Sequence, residues 1–132
     1  RTTVSTERFD LPKDWLRLPA TCHHNNPRLM ELAEQFDTPV KRDAQLFYLW
    51  GHSYEFDDDN NWDVIEEFFR RLGGKDDIWY ATNIEVYDYV RAFERLEFSV
   101  DNMRVYNPSA ADVWIGLNEE LIHIPAGSTV NL

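Results

Sequence analysis

A short apolar run that ends at glycine and is followed by histidine constrains this chain more than any other feature. Residues 45–50 form the run, Gly51 and His52 follow it, and the segments on both sides have helical apolar spacing. A run of this length between helices predicts a buried strand of an α/β sheet or barrel. In such folds the carboxyl ends of the strands carry the chemistry. His52 is therefore predicted to act as an acid or base, or alternatively to cap the strand and bond to the next loop.

Helix and strand patterns alternate over the first 95 residues. The predicted order is helix 27–36, connector 37–43, strand 45–50, helix 62–72, strand 78–81 and helix 82–95. Such alternation implies parallel strands joined by right-handed crossovers. Two or three strand–helix units are too few to close a barrel, so the sheet is either open or half of the fold is missing.

A different pattern begins at residue 97. Short strand-like segments alternate with turn signals over 97–100, 104–106, 112–116, 121–124 and 129–132. They predict a small antiparallel β appendage of about two hairpins. We therefore predict two domains, an α/β region over residues 1–96 and a C-terminal β extension over residues 97–132.

Composition excludes two classes of partner. The net charge is −11, which argues against nucleic acid, whose binders need clustered Lys and Arg, and against anionic membrane surfaces. Aromatic residues make up 14% of the chain; most are expected to pack in the core, and some could stack on sugar rings. Cys22 is the one cysteine, so neither an internal disulfide nor a cysteine-rich zinc motif is possible.

Two adjacent histidines, His23 and His24, invite a metal interpretation. Adjacent residues of an extended chain point to opposite sides, so one site would seldom use both. No His-x-x-x-His or His-Glu-x-x-His spacing occurs, and no metal site built wholly from this chain is predicted. One histidine of the pair is expected to lie beside a pocket. Cys22 is not expected to be a thiol nucleophile, because sequence neighbours rarely form that geometry.

Other polar residues near the predicted strand ends have open interpretations. Glu55 follows His52 by three residues, so it either orients the imidazole, binds substrate or lies on the surface. Asn83 follows the second predicted strand and either faces the same rim or helps to cap the next helix. The three aspartates of residues 57–59 lack the alternating calcium-loop pattern and are expected to lead into a helix. No Gly-x-Ser-x-Gly or phosphate-binding glycine loop is present, which argues against serine hydrolases and nucleotide enzymes.

Five separated blocks carry a family resemblance. They are Phe-Asp-Leu-Pro-Lys-Asp-Trp at 9–15, Pro-Ala-Thr-Cys-His-His at 19–24, Leu-Trp-Gly-His-Ser-Tyr-Glu-Phe-Asp at 49–57, Ile-Trp-Tyr-Ala-Thr-Asn-Ile-Glu at 78–85 and Val-Tyr-Asn-Pro-Ser-Ala at 105–110. In this order they resemble the C-terminal part of a bacterial subgroup of polysaccharide deacetylases, in carbohydrate esterase family four. The resemblance covers nearly the whole chain. It implies an α/β fold, the C-terminal part of a distorted (β/α) barrel (TIM-like) with a small antiparallel β appendage.

The resemblance also implies a chemistry, the metal-dependent hydrolysis of acetamide groups on N-acetylated glycans. In that family zinc or another divalent metal is held by an aspartate and two histidines, a second aspartate is the base, and a late Leu-x-His motif supplies the acid. The segment from Leu49 to His52 resembles the late motif, with one residue more between its ends than is usual. The resemblance thus implies that His52 is the catalytic acid. The predicted substrate-binding residues are Leu49, Trp50, Glu55, His23, His24 and Asn83.

The early motifs of the family do not occur in this chain. The Asp-Asp pair, the His-x-x-x-His and the Arg-x-Pro-Tyr lie upstream in the family, and they contain the metal ligands and the base. The resemblance therefore implies a chain that needs the upstream half of its domain, or a second chain, and that is not a competent deacetylase alone. Two alternatives stay open: a non-catalytic glycan- or protein-binding module, and a structural subunit whose exposed sheet edge is covered by a partner or by homo-oligomerisation.

Overall fold

The computed structural model describes residues 1–38, 43–118 and 120–132. Over these residues the chain is mixed α/β, with four helices and small sheets that do not close into a barrel. The elements are β1 (Cys22–His23), α1 (Leu29–Phe36), β2 (Leu49–Trp50), α2 (Ser53–Asp58), α3 (Trp62–Leu72), α4 (Asn83–Glu94), β3 (Glu97–Phe98), β4 (Arg104–Tyr106), β5 (Val113–Leu117), β6 (Glu120–Ile124) and β7 (Thr129–Asn131). They divide into two compact units, Arg1–Trp79 and Tyr80–Leu132.

Extended segments of the first unit run parallel to one another. Strand β1 pairs with β2, with His23 opposite Trp50, and an isolated parallel bridge joins Ser5 to Ala20. The ladder is parallel, but it joins β2 to β1, which the sequence did not predict as a strand. The predicted strand 45–50 is reduced to two ladder residues and is half-buried rather than buried. The carboxyl ends of β1 and β2 therefore lie side by side, which brings the residues that follow each strand together.

Two amphipathic helices enclose the core of the first unit. Helix α1 buries Leu29, Leu32, Ala33 and Phe36, the face that its sequence predicts, and α3 buries Ile65, Phe68 and Leu72. These side chains join Cys22 and Phe56 in one cluster. Among the described helices, none is both long and apolar enough to span a bilayer.

The second unit combines α4 with antiparallel strands. The order β3–β4–β7 forms one sheet and β5–β6 form a hairpin, as the turn-rich pattern after residue 97 predicts. Buried Asn107 donates its side-chain N–H groups to the carbonyls of Ala111 and Ile124, while its oxygen accepts from Ser109. This amide therefore pairs with backbone groups of the loop at 109–111 and with the carbonyl at the end of β6.

Besides the partner of β2, two elements of the fold differ from the sequence-based predictions. Residues 78–81 form no strand, because an apolar run becomes a strand only when another backbone segment pairs with it. The side chains of Trp79 and Tyr80 in this run are exposed. Helix α2 was not predicted, since its first turn is polar and its capping position is held by His52 rather than Ser or Thr. The connector 37–43 lies mostly outside the described residues. The division into compact units falls before α4, whereas the predicted domain boundary at residues 96/97, which stays a prediction, falls after it.

Core packing predicts a difference between two leucines of the first unit. Leu32 is fully buried, whereas Leu16 is 92% exposed. Leu32→Ala should lower the free energy of unfolding by about 2–5 kcal/mol, through lost burial and a cavity. Leu16→Ala should change it by less than about 0.5 kcal/mol. Urea titrations of both variants measure this difference, and similar values for the two would contradict the described core.

Candidate functional site

The carboxylate of Glu55 lies where three histidines meet. Its Oε2 atom is 2.9 Å from Nε2 of His24 and 3.3 Å from Nε2 of His23. The same oxygen accepts the backbone N–H of His52 at 2.8 Å and lies 3.3 Å from Nδ1 of that imidazole. Helix α2 thus carries the carboxylate to the point where the ends of β1 and β2 carry the histidines.

A turn directly after β1 explains how two consecutive histidines reach one carboxylate. His23 ends the strand, and the N–H of Asn26 donates to its carbonyl at 3.0 Å, which closes the turn. The rings of His23 and His24 are consequently 4.3 Å apart between centroids. The prediction that the pair would point to opposite sides is wrong, because that alternation holds only while the chain stays extended.

Packing fixes the position of His24. Its ring is 2% exposed and lies 4.2 Å from the ring of Phe56 between centroids. Backbone of Gly51 occupies the space on another side, where an added Cβ would lie 1.7 Å from Cδ2 of His24. Gly51 is therefore required for close approach of the backbone to the imidazole. The glycine of the sequence motif thus has a steric role at this site.

Electrostatics keep the central carboxylate ionised. Hydrogen bonds from the His24 side chain and the His52 backbone hold the pKa of Glu55 at about 2, below its ordinary value of 4.5. Desolvation, followed by the neighbouring His24, lowers the pKa of His23. An ionised carboxylate only accepts hydrogen bonds, so each nitrogen that bonds to it must donate. Burial raises the pKa of the Cys22 thiol to about 11, and a protonated thiol is a poor nucleophile.

An apolar cavity of about 320 Å³ adjoins the histidine cluster. Its lining includes the predicted residues His24, Leu49, Trp50 and His52, together with Gly51 and Ser53. The aromatic and aliphatic wall that sequence reasoning missed comes from two helices: Phe56, Trp62, Ile65 and Phe69. In sequence, Ile65 and Phe69 belong to the apolar stripe of α3, which is equally consistent with a core. Only their position beside β2 makes them cavity residues.

The first unit brings six of the seven predicted site residues into one region. His23, His24, His52 and Glu55 meet at one oxygen, and Leu49 and Trp50 line the adjoining cavity. Asn83 belongs to the second unit, where it is the first residue of α4 behind the Thr82 cap. Its predicted contact with substrate stays a prediction.

Three of these side chains carry donor atoms suited to a metal. One ligand atom each from His23, His24 and Glu55 lies within 4.8 Å of the others. Two imidazole nitrogens and a carboxylate oxygen form a donor set that zinc accepts. The cluster thus fits a divalent metal, although the sequence predicted no ligand set in this chain.

Comparison with known proteins assigns no family to this arrangement. No model of a known protein family matches the chain, and neither a curated protein nor a solved structure matches it.

Close approach at Gly51 gives a test of the site's packing. Gly51→Ala would push a methyl group into the His24 ring, so we expect a loss of about 1–3 kcal/mol in unfolding free energy and shifted His24 ring signals. Gly116→Ala is the matched control, since nothing lies within 4 Å of its added Cβ. Denaturant titrations and proton NMR measure both effects. Unshifted His24 signals in Gly51→Ala would contradict the described contact.

The depressed pKa of Glu55 predicts how its contribution to stability varies with pH. The folded value is about 2 and the ordinary value is 4.5, so the ionised group stabilises the fold fully above pH 4.5. That contribution is lost as the pH falls from 4.5 toward 2. The difference in unfolding free energy between the parent chain and Glu55→Gln should shrink over this range.

Urea titrations at several pH values measure that difference. Glu66→Gln, which removes an exposed carboxylate from α3, is the control and should have little effect on stability. A Glu55→Gln difference that stayed constant across the range would mean that the carboxylate is not held by these hydrogen bonds.

Proposed function

We propose that this chain is the C-terminal part of a metal-dependent N-deacetylase that acts on N-acetylated glycans, in which His52 protonates the leaving amine. The observation that carries the proposal is the shared cavity of His52, Leu49 and Trp50. The motif resemblance implies that His52 is the acid and that the other two residues line the acetyl pocket. Such a hydrolase requires its acid and the residues that bind the acetyl group to line the same apolar pocket.

Strand arrangement supports the finer fold assignment within this proposal. Residues near Ser5, the segment at β1 and the segment at β2 lie side by side, and their bridges and ladder are parallel. The N–H of Thr21 donates to the carbonyl of Tyr48 at 2.8 Å, which extends the contact beyond the ladder. Strands β1 and β2, with α1 between them, form one parallel strand–helix–strand unit of the kind that repeats in a (β/α) barrel. We propose that upstream sequence, or a second chain, completes a distorted barrel.

Proton delivery is the role that His52 can perform. Hydrolysis of an acetamide releases an amine, which leaves only when its nitrogen is protonated. Nδ1 of His52 lies 3.3 Å from ionised Glu55, a carboxylate that can accept a proton donated by that nitrogen. Nε2, on the other side of the ring, then carries the proton that can be transferred. Glu55 acts as the positioning residue, because its backbone and side-chain contacts fix one His52 geometry.

The cavity supplies the binding part of the mechanism. At about 320 Å³ it has room for an acetyl group and part of the sugar that bears it. Its apolar wall favours the acetyl methyl group and limits the access of water to the reacting bond. Aromatic faces at Trp50 and Trp62 offer stacking surfaces for sugar C–H groups. A divalent metal, when bound, would supply the activated water that attacks the amide carbonyl.

Removal of His52 tests the proposal directly. His52→Ala, in the chain joined to its upstream sequence, should lower kcat for deacetylation of an N-acetylated oligosaccharide by about 10²–10⁴-fold, because the leaving amine loses its acid. KM should change little, since the cavity wall remains. Release of acetate measures the rate.

His123→Ala is the matched control for that experiment. His123 is an exposed histidine that pairs with Asp112, and it belongs to the second unit. Its removal should leave kcat unchanged. Full activity of His52→Ala would refute the assignment of the acid. Glycan affinity with no metal requirement and no acetate release from the parent protein would favour the binding-module alternative.

A further inference from the structure

More nitrogen atoms lie close to one oxygen of Glu55 than that oxygen can bind as a hydrogen-bond acceptor. Oε2 is contacted by Nε2 of His23, by Nε2 of His24, and by both the backbone nitrogen and Nδ1 of His52. A carboxylate oxygen offers about two lone-pair directions. Two of these contacts, those of His23 and of His52 Nδ1, are long at 3.3 Å. The arrangement thus holds imidazole nitrogens close together without giving each of them a full hydrogen bond.

We propose that His23, His24 and Glu55 form a binding site for a zinc ion. Two imidazole nitrogens and one carboxylate oxygen leave a fourth position open, which is the ligand count of exchangeable zinc sites rather than of closed structural ones. Water or a ligand oxygen would occupy that position. The proposal concerns the binding of metal by this chain and holds whether or not the deacetylase function does.

Observed distances are close to those between the ligands of a tetrahedral ion. Ligands about 2.0–2.2 Å from zinc are separated from one another by about 3.3–3.6 Å. The Glu55 oxygen lies 3.3 Å from Nε2 of His23 and 2.9 Å from Nε2 of His24, and all three ligand atoms fall within 4.8 Å. Small side-chain adjustments would therefore place the three atoms around one ion.

The backbone already holds two of these ligands near their places. His24 is buried between Phe56 and Gly51, and its main-chain N–H donates to the carbonyl of Trp50 at 3.0 Å. Glu55 is held by the N–H of His52 at the start of α2. Preorganised ligands lose less conformational entropy on binding. His23, at 22% side-chain exposure, provides the edge through which an ion can enter.

The positions of the imidazole protons affect how tightly this site binds zinc. A neutral imidazole that binds zinc through Nε2 carries its proton on Nδ1. Nδ1 of His23 now accepts the N–H of Asn25 at 3.2 Å, so zinc binding must break that long, exposed bond. Nδ1 of His24 is buried with no hydrogen-bond partner in the described part of the chain. Zinc-binding histidines usually have such a partner, so we expect weaker binding than at a structural zinc site.

Calorimetric titration with zinc chloride tests the proposal on the metal-free 132-residue chain. We expect one ion per chain in the parent. His23→Asn and Glu55→Gln should each weaken binding by about tenfold or more, because each removes one of three ligands. Cobalt(II) substitution should give the intense visible absorption of a tetrahedral site.

The hairpin β5–β6 offers a matched control. His123 Nε2 lies 2.9 Å from an Asp112 oxygen, a pair with the same distance as His24 and Glu55 but with no second histidine. His123→Asn should leave the zinc affinity unchanged. Equal binding by parent, His23→Asn and Glu55→Gln would overturn the proposal, as would loss of binding in His123→Asn.

This test separates a loss of zinc binding from a loss of folding and from a failure of the proposed function. His24→Gln alters a buried side chain, so the decision rests on His23→Asn at a partly exposed position and on isosteric Glu55→Gln, with circular dichroism as the check on folding. If either variant unfolds, the cobalt spectrum of the parent decides, and a weak octahedral spectrum would overturn the proposal. Zinc binding without deacetylation by the completed protein would refute the proposed function and leave this site intact.

Discussion

Two segments of the first unit, more than thirty residues apart in sequence, are joined at the carboxylate of Glu55. One is the turn after β1, which contains His23 and His24, and the other is the start of α2 after His52. The carboxylate is ionised, so it can hold several N–H donors at once. Without it, a buried imidazole would lose its charged partner, and α2 would lose the acceptor for its first N–H group. Both the cavity wall and the histidine cluster depend on this contact.

Close packing at Gly51 sets the second condition for the site. The backbone between β2 and α2 must pass against the ring of His24, and a side chain there would collide with it. This passage aligns His24, Leu49 and Trp50 along one wall, while α3 supplies the opposite apolar residues. The cavity is therefore a consequence of parallel strand pairing followed by a tight chain reversal. Its chemistry comes from the histidines that the same reversal places at its edge.

The proposed acid and the proposed zinc site use the same carboxylate in different ways. For His52, Glu55 accepts the backbone N–H and lies 3.3 Å from Nδ1, which fixes the position of the ring. For His23 and His24, it completes a set of three donor atoms. A carboxylate has two oxygens and about four lone-pair directions, so one group can serve both roles. Hydrogen bonds from the His24 side chain and the His52 backbone hold the Glu55 pKa at about 2, even though the side chain is in partial contact with solvent.

Local pattern by itself determined much of this protein. The apolar faces of α1 and α3, the capping of α4 by Thr82 and the antiparallel strands after residue 97 all follow from spacing and turn chemistry. The family resemblance implied that Leu49 and Trp50, at the end of the predicted strand, line a pocket beside His52. These features depend on residues that are close in sequence.

Tertiary structure alone decided how the site is assembled. Sequence alternation separated His23 from His24, whereas the turn after β1 brings both rings to Glu55. Residues 78–81 have the composition of a strand but do not form one, because a strand exists only where another backbone segment pairs with it. The role of Gly51 likewise depends on a ring that is contributed from twenty-seven positions earlier. Contacts of this kind depend on chain reversals and on long-range packing, which residue spacing does not encode.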